Sequence, residues 1–315
     1  MTDSPSLDLP DPADIARTLQ ATLKEMPQPL FAALDGALFD DLPGDFLNAG
    51  FSCRSLFLEH GDEEVERAGP WLMALDSDRA RSHAEALAVA QPCAVFWSCA
   101  EGEMALWRHL RTINEVMIPV EGEAAEGAQP APGALERVMF RHWDPNVLAA
   151  VMPLLDAAQF ARMFGPAAYI LINAPDYGGL RRIPRPENLP SAPHGPLRLS
   201  PEQMEGLRAA MLHSSRLRIA RYLKGNVPEH FSGINDDFLW GAALASETTA
   251  DELGIETERG RARWAYVMML SDGKAADIRQ VRGFIRNGPA SPDEQVSALM
   301  KHTAQALRDG SAGVP

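Results

Sequence analysis

Between Pro175 and Pro201 the chain carries Pro184, Pro186, Pro190, Pro193 and Pro196, together with Gly178 and Gly179. Proline fixes φ and removes a backbone donor, so a stretch this dense in it reads as irregular. An irregular connector is therefore expected over residues 175–199. At 315 residues the chain also exceeds the size at which one hydrophobic core stops growing, so the connector should lie between a pair of packed lobes.

The lobes differ in pattern. Asp11 with Pro12 reads as an N-cap followed by proline at the first helical position, and Ile15, Leu19, Leu23 and Met26 recur at helical spacing, which predicts a helix within residues 1–28. From Pro29, short apolar runs bounded by Gly, Pro and Asp read as strands: Leu30–Leu34, Phe51–Leu58, Trp71–Leu75, Ala94–Trp97, Val138–Trp143 and Tyr169–Ile172. Helical stretches around Asp45–Ala49, Arg79–Ala90 and Glu103–Val116 alternate with them, and Glu121–Gly133 reads as a mobile hairpin-type loop. Asp144-Pro145 opens a further helix stopped by Pro153, and Asp156 with Gln159 forms a capping box ahead of Phe160, Met163 and Phe164.

Beyond the connector the signals are helical only. Ser200 with Gln203 marks a start, with Leu199 and Met204 placed as a staple. Asp236–Leu253, Glu258–Leu270, Asp277–Arg286 and a last helix after Ser291 follow. The expected fold is α+β: an α/β lobe over 29–174 whose mixed β-sheet is flanked by helices, and an all-helical lobe over 200–310.

Hydrophobic residues at 46% and charged residues at 23% are globular values. A net charge of −14 would repel a phosphate backbone, which argues against nucleic acid as a partner and favours encounters with a basic protein surface. Three cysteines, Cys53, Cys93 and Cys99, make a poor disulfide framework and fit a reducing compartment. The acidic first dozen residues do not resemble a secretory signal, and no apolar run reaches the roughly 18 residues of a membrane span. A cytoplasmic location is expected.

Candidate chemistry is sparse. No CxxC pair and no HExxH occurs, so no metal site is expected, and Cys93 and Cys99 read as buried thiols roughly 20 Å apart along a strand. His142 is followed by Trp143 and Asp144, a pairing that can serve general-base chemistry, but Asp144 already reads as an N-cap and no nucleophile elbow is present. Gly273-Lys274 lacks the upstream glycine of a phosphate loop, and Tyr177-Gly178-Gly179 lacks the third glycine of a dinucleotide fingerprint, so no cofactor is expected. Asp62, Glu63, Glu64 and Glu66 read as the acidic first turn of a helix. Arg181, Arg182 and Arg185 form a basic cluster suited to carboxylates, whereas Arg208, Arg216, Arg218, Arg221 and Lys224 read as the wet face of a helix. Trp240 and Trp264 fall on predicted helices, where each either fills the core or lines a partner groove.

Several ordered motifs resemble one family. They are Leu30-Phe31-Ala32-Ala33-Leu34-Asp35-Gly36-Ala37, Arg54-Ser55-Leu56-Phe57, Gly69-Pro70-Trp71-Leu72, Leu106-Trp107-Arg108-His109-Leu110-Arg111, and Met139-Phe140-Arg141-His142-Trp143-Asp144-Pro145-Asn146-Val147-Leu148. Their order over residues 29–172 is similar to that of the type VI secretion adaptor and chaperone family, the Tap/Tec group with its DUF4123 domain. Leu253-Gly254-Ile255-Glu256-Thr257-Glu258 resembles a short signature of the helical lobes of such proteins. The resemblance implies a cytoplasmic, non-enzymatic adaptor. It would bind one toxic effector and promote its loading onto the VgrG spike protein, with a PAAR-type tip as a further partner. Arg141, Trp143, Arg181, Arg182, Arg185, Trp240 and Trp264 are the expected partner-binding residues. Two other readings stay open: an immunity-like protein that occludes a toxin, and a hydrolase using His142 and Asp144.

Overall fold

The computed structural model describes residues 5–57, 62–120, 133–228 and 234–308, and side chains up to 302. In chain order the elements are α1 (Pro12–Glu25), β1 (Leu30–Asp35), α2 (Leu42–Ala49), β2 (Cys53–Ser55), α3 (Glu63–Arg67), β3 (Pro70–Ala74) and α4 (Asp78–Ala90). β4 (Ala94–Ser98), α5 (Glu103–Arg111), β5 (Glu115–Pro119), β6 (Leu135–Met139), α6 (Pro145–Val151), α7 (Ala157–Phe164), β7 (Tyr169–Ala174), β8 (Gly179–Pro184) and β9 (Leu197–Arg198) follow. The chain ends in α8 (Pro201–Asn226), α9 (Asp236–Leu253), α10 (Glu258–Leu270), α11 (Arg279–Asn287) and α12 (Pro292–Arg308).

The chain divides into two compact units. Pro10–Met211 forms one, and Leu212–Pro315 together with Met1–Leu9 forms the other. An N-terminal sheet with flanking helices and a C-terminal helical region are the expected α+β plan.

In the first unit a six-stranded sheet runs in the order β2-β3-β1-β4-β7-β8, with every neighbouring pair antiparallel. Parallel pairing is confined to a second, three-stranded sheet, β6-β5-β9, where β9 joins β5. Side chains of β1, β4 and β7 alternate between two cores. Phe31, Ala33, Val95, Trp97, Ile170 and Ile172 face one core with α5, α6 and α7, while Leu30, Ala32, Leu34, Phe96 and Leu171 face the other with α1, α2 and α4. Helices on both faces explain why these strands are continuous apolar runs with no polar alternation.

Local signals are realised closely. Asp11, Asp144 and Asp156 cap α1, α6 and α7 through their carboxylates, with the full capping box at Asp156 and Gln159. Gln203 and Ser200 exchange side-chain to backbone hydrogen bonds of 2.9 and 3.2 Å, so α8 begins with the same device.

Three expectations need correction. The helix over Glu103–Val116 stops at Arg111, because Thr112 Oγ1 donates to the His109 carbonyl at 2.6 Å and Val116 pairs with Val138 across β5 and β6. The strand over Val138–Trp143 lies earlier, at Leu135–Met139; Phe140–Asp144 turns, with Phe140 N–H bound to the Asn114 carbonyl and Asp144 N–H to the Arg141 carbonyl. The stretch over 175–199 is no plain linker. Gly178 at φ +90° and Gly179 at φ +74° turn the chain so that β8 pairs with β7 from Gly179↔Ala174 to Pro184↔Tyr169. Pro184 is tolerated there because β8 is an edge strand. The loop expected over 121–133 falls, apart from Gly133, outside the described residues.

The helical unit has two cores. Ile219, Leu223, Leu239, Ala243, Ala265 and Met269 form one with Leu7, and Leu253, Ile255, Trp264, Val267, Ile285 and Val296 form the other. Leu7 N–H donates to Asp236 at 3.1 Å and Lys224 bridges Asp8 and Asp236 at 2.7 and 2.8 Å. The cationic face of α8 is therefore partly tied down: Arg216 meets Glu247 at 2.8 Å and Arg218 meets Glu258 at 2.6 Å. No helix among the described residues is long and apolar enough to cross a membrane.

Candidate partner-binding cleft

Within the Phe140–Pro145 block, Phe140, His142 and Trp143 are buried. His142 is fully buried, and its Nε2 lies 2.9 Å from Asn114 Oδ1. Asn114 Nδ2 donates to the Leu56 carbonyl at 2.8 Å, which leaves Oδ1 as acceptor and gives His142 the Nε2–H tautomer. Burial holds the imidazole neutral, its pKa pushed down to about 3. Asp144 caps α6, and burial raises its carboxyl above the usual range. Neither residue is arranged as a solvent-reached acid–base pair.

Arg141 turns the other way. Its guanidinium donates to Asp35, whose side chain is only 3% exposed, and stands 3.7 Å from Asp144. Asp35 also accepts the Ala37 N–H at 3.3 Å. Arg141 is thus committed to a buried carboxylate, although it remains half exposed.

Trp143 is buried against Phe57, ring centroids 5.8 Å apart, and Trp264 is wholly buried with its indole N–H donating to Thr249 at 2.8 Å. Both fill cores. Arg181 donates to the Tyr177 carbonyl and Arg185 to the Gly165 carbonyl. Arg182 pairs with Glu25 at 3.2 Å and lies over the Tyr169 ring. The three arginines belong to the β8 edge and its exit, each with a local partner. Trp240 is half-buried beside His213, centroids 5.4 Å apart. All three cysteines are free thiols, and burial pushes Cys93 up to about 12.

What the scaffold supports is a cleft. Phe57, Asn114, Arg111 and Met139 line a cavity of about 560 Å³, with Val65 of α3 and Val138 of β6 on its sides. Its lips are apolar and exposed: Met139 is 63% and Val65 54% accessible. Along one flank runs β6, the outer strand of its sheet, so its outward N–H and C=O groups have no strand partner among the described residues. Leu135 is also exposed there.

Arg111 sits within this cleft. Its guanidinium lies 4.1 Å from the Trp107 ring, and the Trp107 indole N–H is anchored on the Ser55 carbonyl at 2.8 Å. Nε of Arg111 is buried without a hydrogen-bond partner, and among the described residues no carboxylate pairs with the group. Glu115, also on the lining, is taken by Arg137 at 3.2 Å. Arg111, Asn114 and Met139 are not among the partner-binding residues expected from sequence. The i,i+4 spacing of Trp107 and Arg111 on a helix is the signal that points to their stacking.

An arrangement of apolar lips, a sheet edge and a guanidinium without a carboxylate partner among the described residues, with the Glu66 carboxylate elsewhere on the lining, suits recognition of an extended polypeptide. Residues 30–162, which hold every residue of the cleft, match the family model described as a domain of unknown function, DUF4123. No curated protein and no solved structure matches the chain.

Proposed function

We propose that this chain is a cytoplasmic adaptor or chaperone of type VI secretion, which binds one cognate effector and promotes its loading onto the VgrG spike. The observation that carries the reading is the coincidence of the DUF4123 match with the unit that holds the cleft beside the β6 edge. The motif block that resembles the Tap/Tec group supports it in kind, since its histidine and tryptophan are buried supports beneath a surface. The work is recognition and release, with no bond made or broken.

The test is export. Deleting the gene in its own host should abolish secretion of one effector while other type VI substrates leave the cell normally, and tagged chain should bring down that effector with the spike protein. Protection of cells from the toxin with unimpaired export would make the chain an immunity protein and overturn the adaptor reading. Turnover of a small molecule lost on Asp144→Asn, with folding intact, would do the same in favour of an enzyme.

A further inference from the structure

The geometry points to the occupant of the cleft: an extended segment of the partner protein in which one acidic side chain, flanked by apolar residues, pairs with Arg111. This deepens the adaptor reading and rests on it. Charge sets the first requirement. A guanidinium presents five donors in a planar fork that fits a carboxylate in bidentate fashion. Arg111 offers that fork without a carboxylate partner among the described residues, while the nearby Arg137 is neutralised by Glu115. Contact with the Trp107 ring, 4.1 Å from Arg111 Cζ to the ring centroid, restrains the side chain, so less side-chain freedom remains to be lost on binding.

The flanking chemistry follows from the lips. Val65 and Met139 stand exposed at the rim and Phe57 lines the same cavity, so residues beside the acid gain by being apolar. An extended backbone fits because β6 presents an unpaired edge along Leu135–Met139, next to the cleft. That edge extends beyond the cleft, which favours an internal acidic residue in a passing chain over a terminal carboxylate. The chain as a whole carries −14, so selection of an acid here runs against the general field and requires a local cation.

The experiment uses the full chain and a short fluorescein-labelled peptide of alternating valine and serine with one central glutamate, read by fluorescence polarisation. The glutamate peptide should bind at least about tenfold more tightly than its glutamine counterpart, and Arg111→Gln should erase that difference. Met139→Ala, a change at an exposed position that removes the apolar lip without adding charge, should weaken both peptides without altering the thermal transition. Equal binding of the two peptides to the native chain, discrimination that persists in Arg111→Gln, or no binding of either would overturn the proposal. The outcomes separate from those of the adaptor reading: if the peptides fail while the tagged chain still brings down effector and spike, the cleft assignment falls and the adaptor stands.

Discussion

His142 and Asn114 are joined at 2.9 Å inside the first unit, and Asn114 passes the connection on to the Leu56 carbonyl at 2.8 Å. One amide thus satisfies two buried groups from segments far apart in sequence. Asn114→Ala leaves the imidazole N–H and the carbonyl without partners, which should cost about 1–3 kcal/mol per stranded group. Urea unfolding should show the loss, and His142→Leu in the same chain should return some of it because the stranded donor is then gone. A single Asn114→Ala variant as stable as the native chain would refute this account of the scaffold.

Two histidines set a pH dependence. Burial lowers His142 to about 3 and His109 to about 4, the latter with its Nε2 3.0 Å from the Met163 carbonyl and with Arg162 and Arg185 adding repulsion. In the unfolded chain both rings titrate near about 6.5. Below that pH the unfolded chain binds protons that the folded chain refuses, so this contribution is complete above about 6.5 and declines as pH falls towards 4 and then 3. Asp144 and Glu85, whose carboxyls burial raises, act in the opposite sense at lower pH. The direct measurement is proton NMR: two imidazole C2–H signals should not shift between about pH 8 and 5, and should be absent from His109→Gln and His142→Leu respectively.

The local grammar is legible from residues alone. Caps at Asp11, Asp144, Asp156 and Ser200 depend on side chains two or three positions from the backbone groups they bind, so a short window contains the whole interaction. Pairing across the sheets is not legible to the same degree. The prolines around β8 hide it, since what makes Gly179–Pro184 a strand is its register with Tyr169–Ala174. The docking of Leu7 beside Asp236 is likewise unreadable, because the two are 229 positions apart. For the cleft, residue type does not tell buried from cavity-facing groups: Trp143 and Trp264 are buried, while an arginine resting on Trp107 faces the cavity.

Two arginines, one in β6 and one just after it, should behave differently on removal. Arg137 and Glu115 are both more than half exposed, so Arg137→Ala should change stability by less than about 1 kcal/mol. Arg141→Ala removes the cation from an Asp35 side chain that is 3% exposed, which should cost about 2–4 kcal/mol. Adding Asp35→Asn should recover some of the second loss, since the buried charge goes with it. Parallel denaturation of the native chain and these variants checks the ordering.

Gly165 closes α7 at φ +51° and ψ −121°, a conformation that side chains rarely adopt. A Cβ built there would lie 2.3 Å from the His109 ring, which is itself held by the Met163 carbonyl and has little room to retreat. Backbone strain and overlap therefore add, and Gly165→Ala should destabilise the first unit by about 2–5 kcal/mol. The two terms can be separated. His109→Ala in the Gly165→Ala background removes the overlap but not the strain, so the double variant should be less unstable than the two single losses added together. Simple additivity would mean that the ring moves aside freely and that the contact between His109 and Gly165 does not constrain the end of α7.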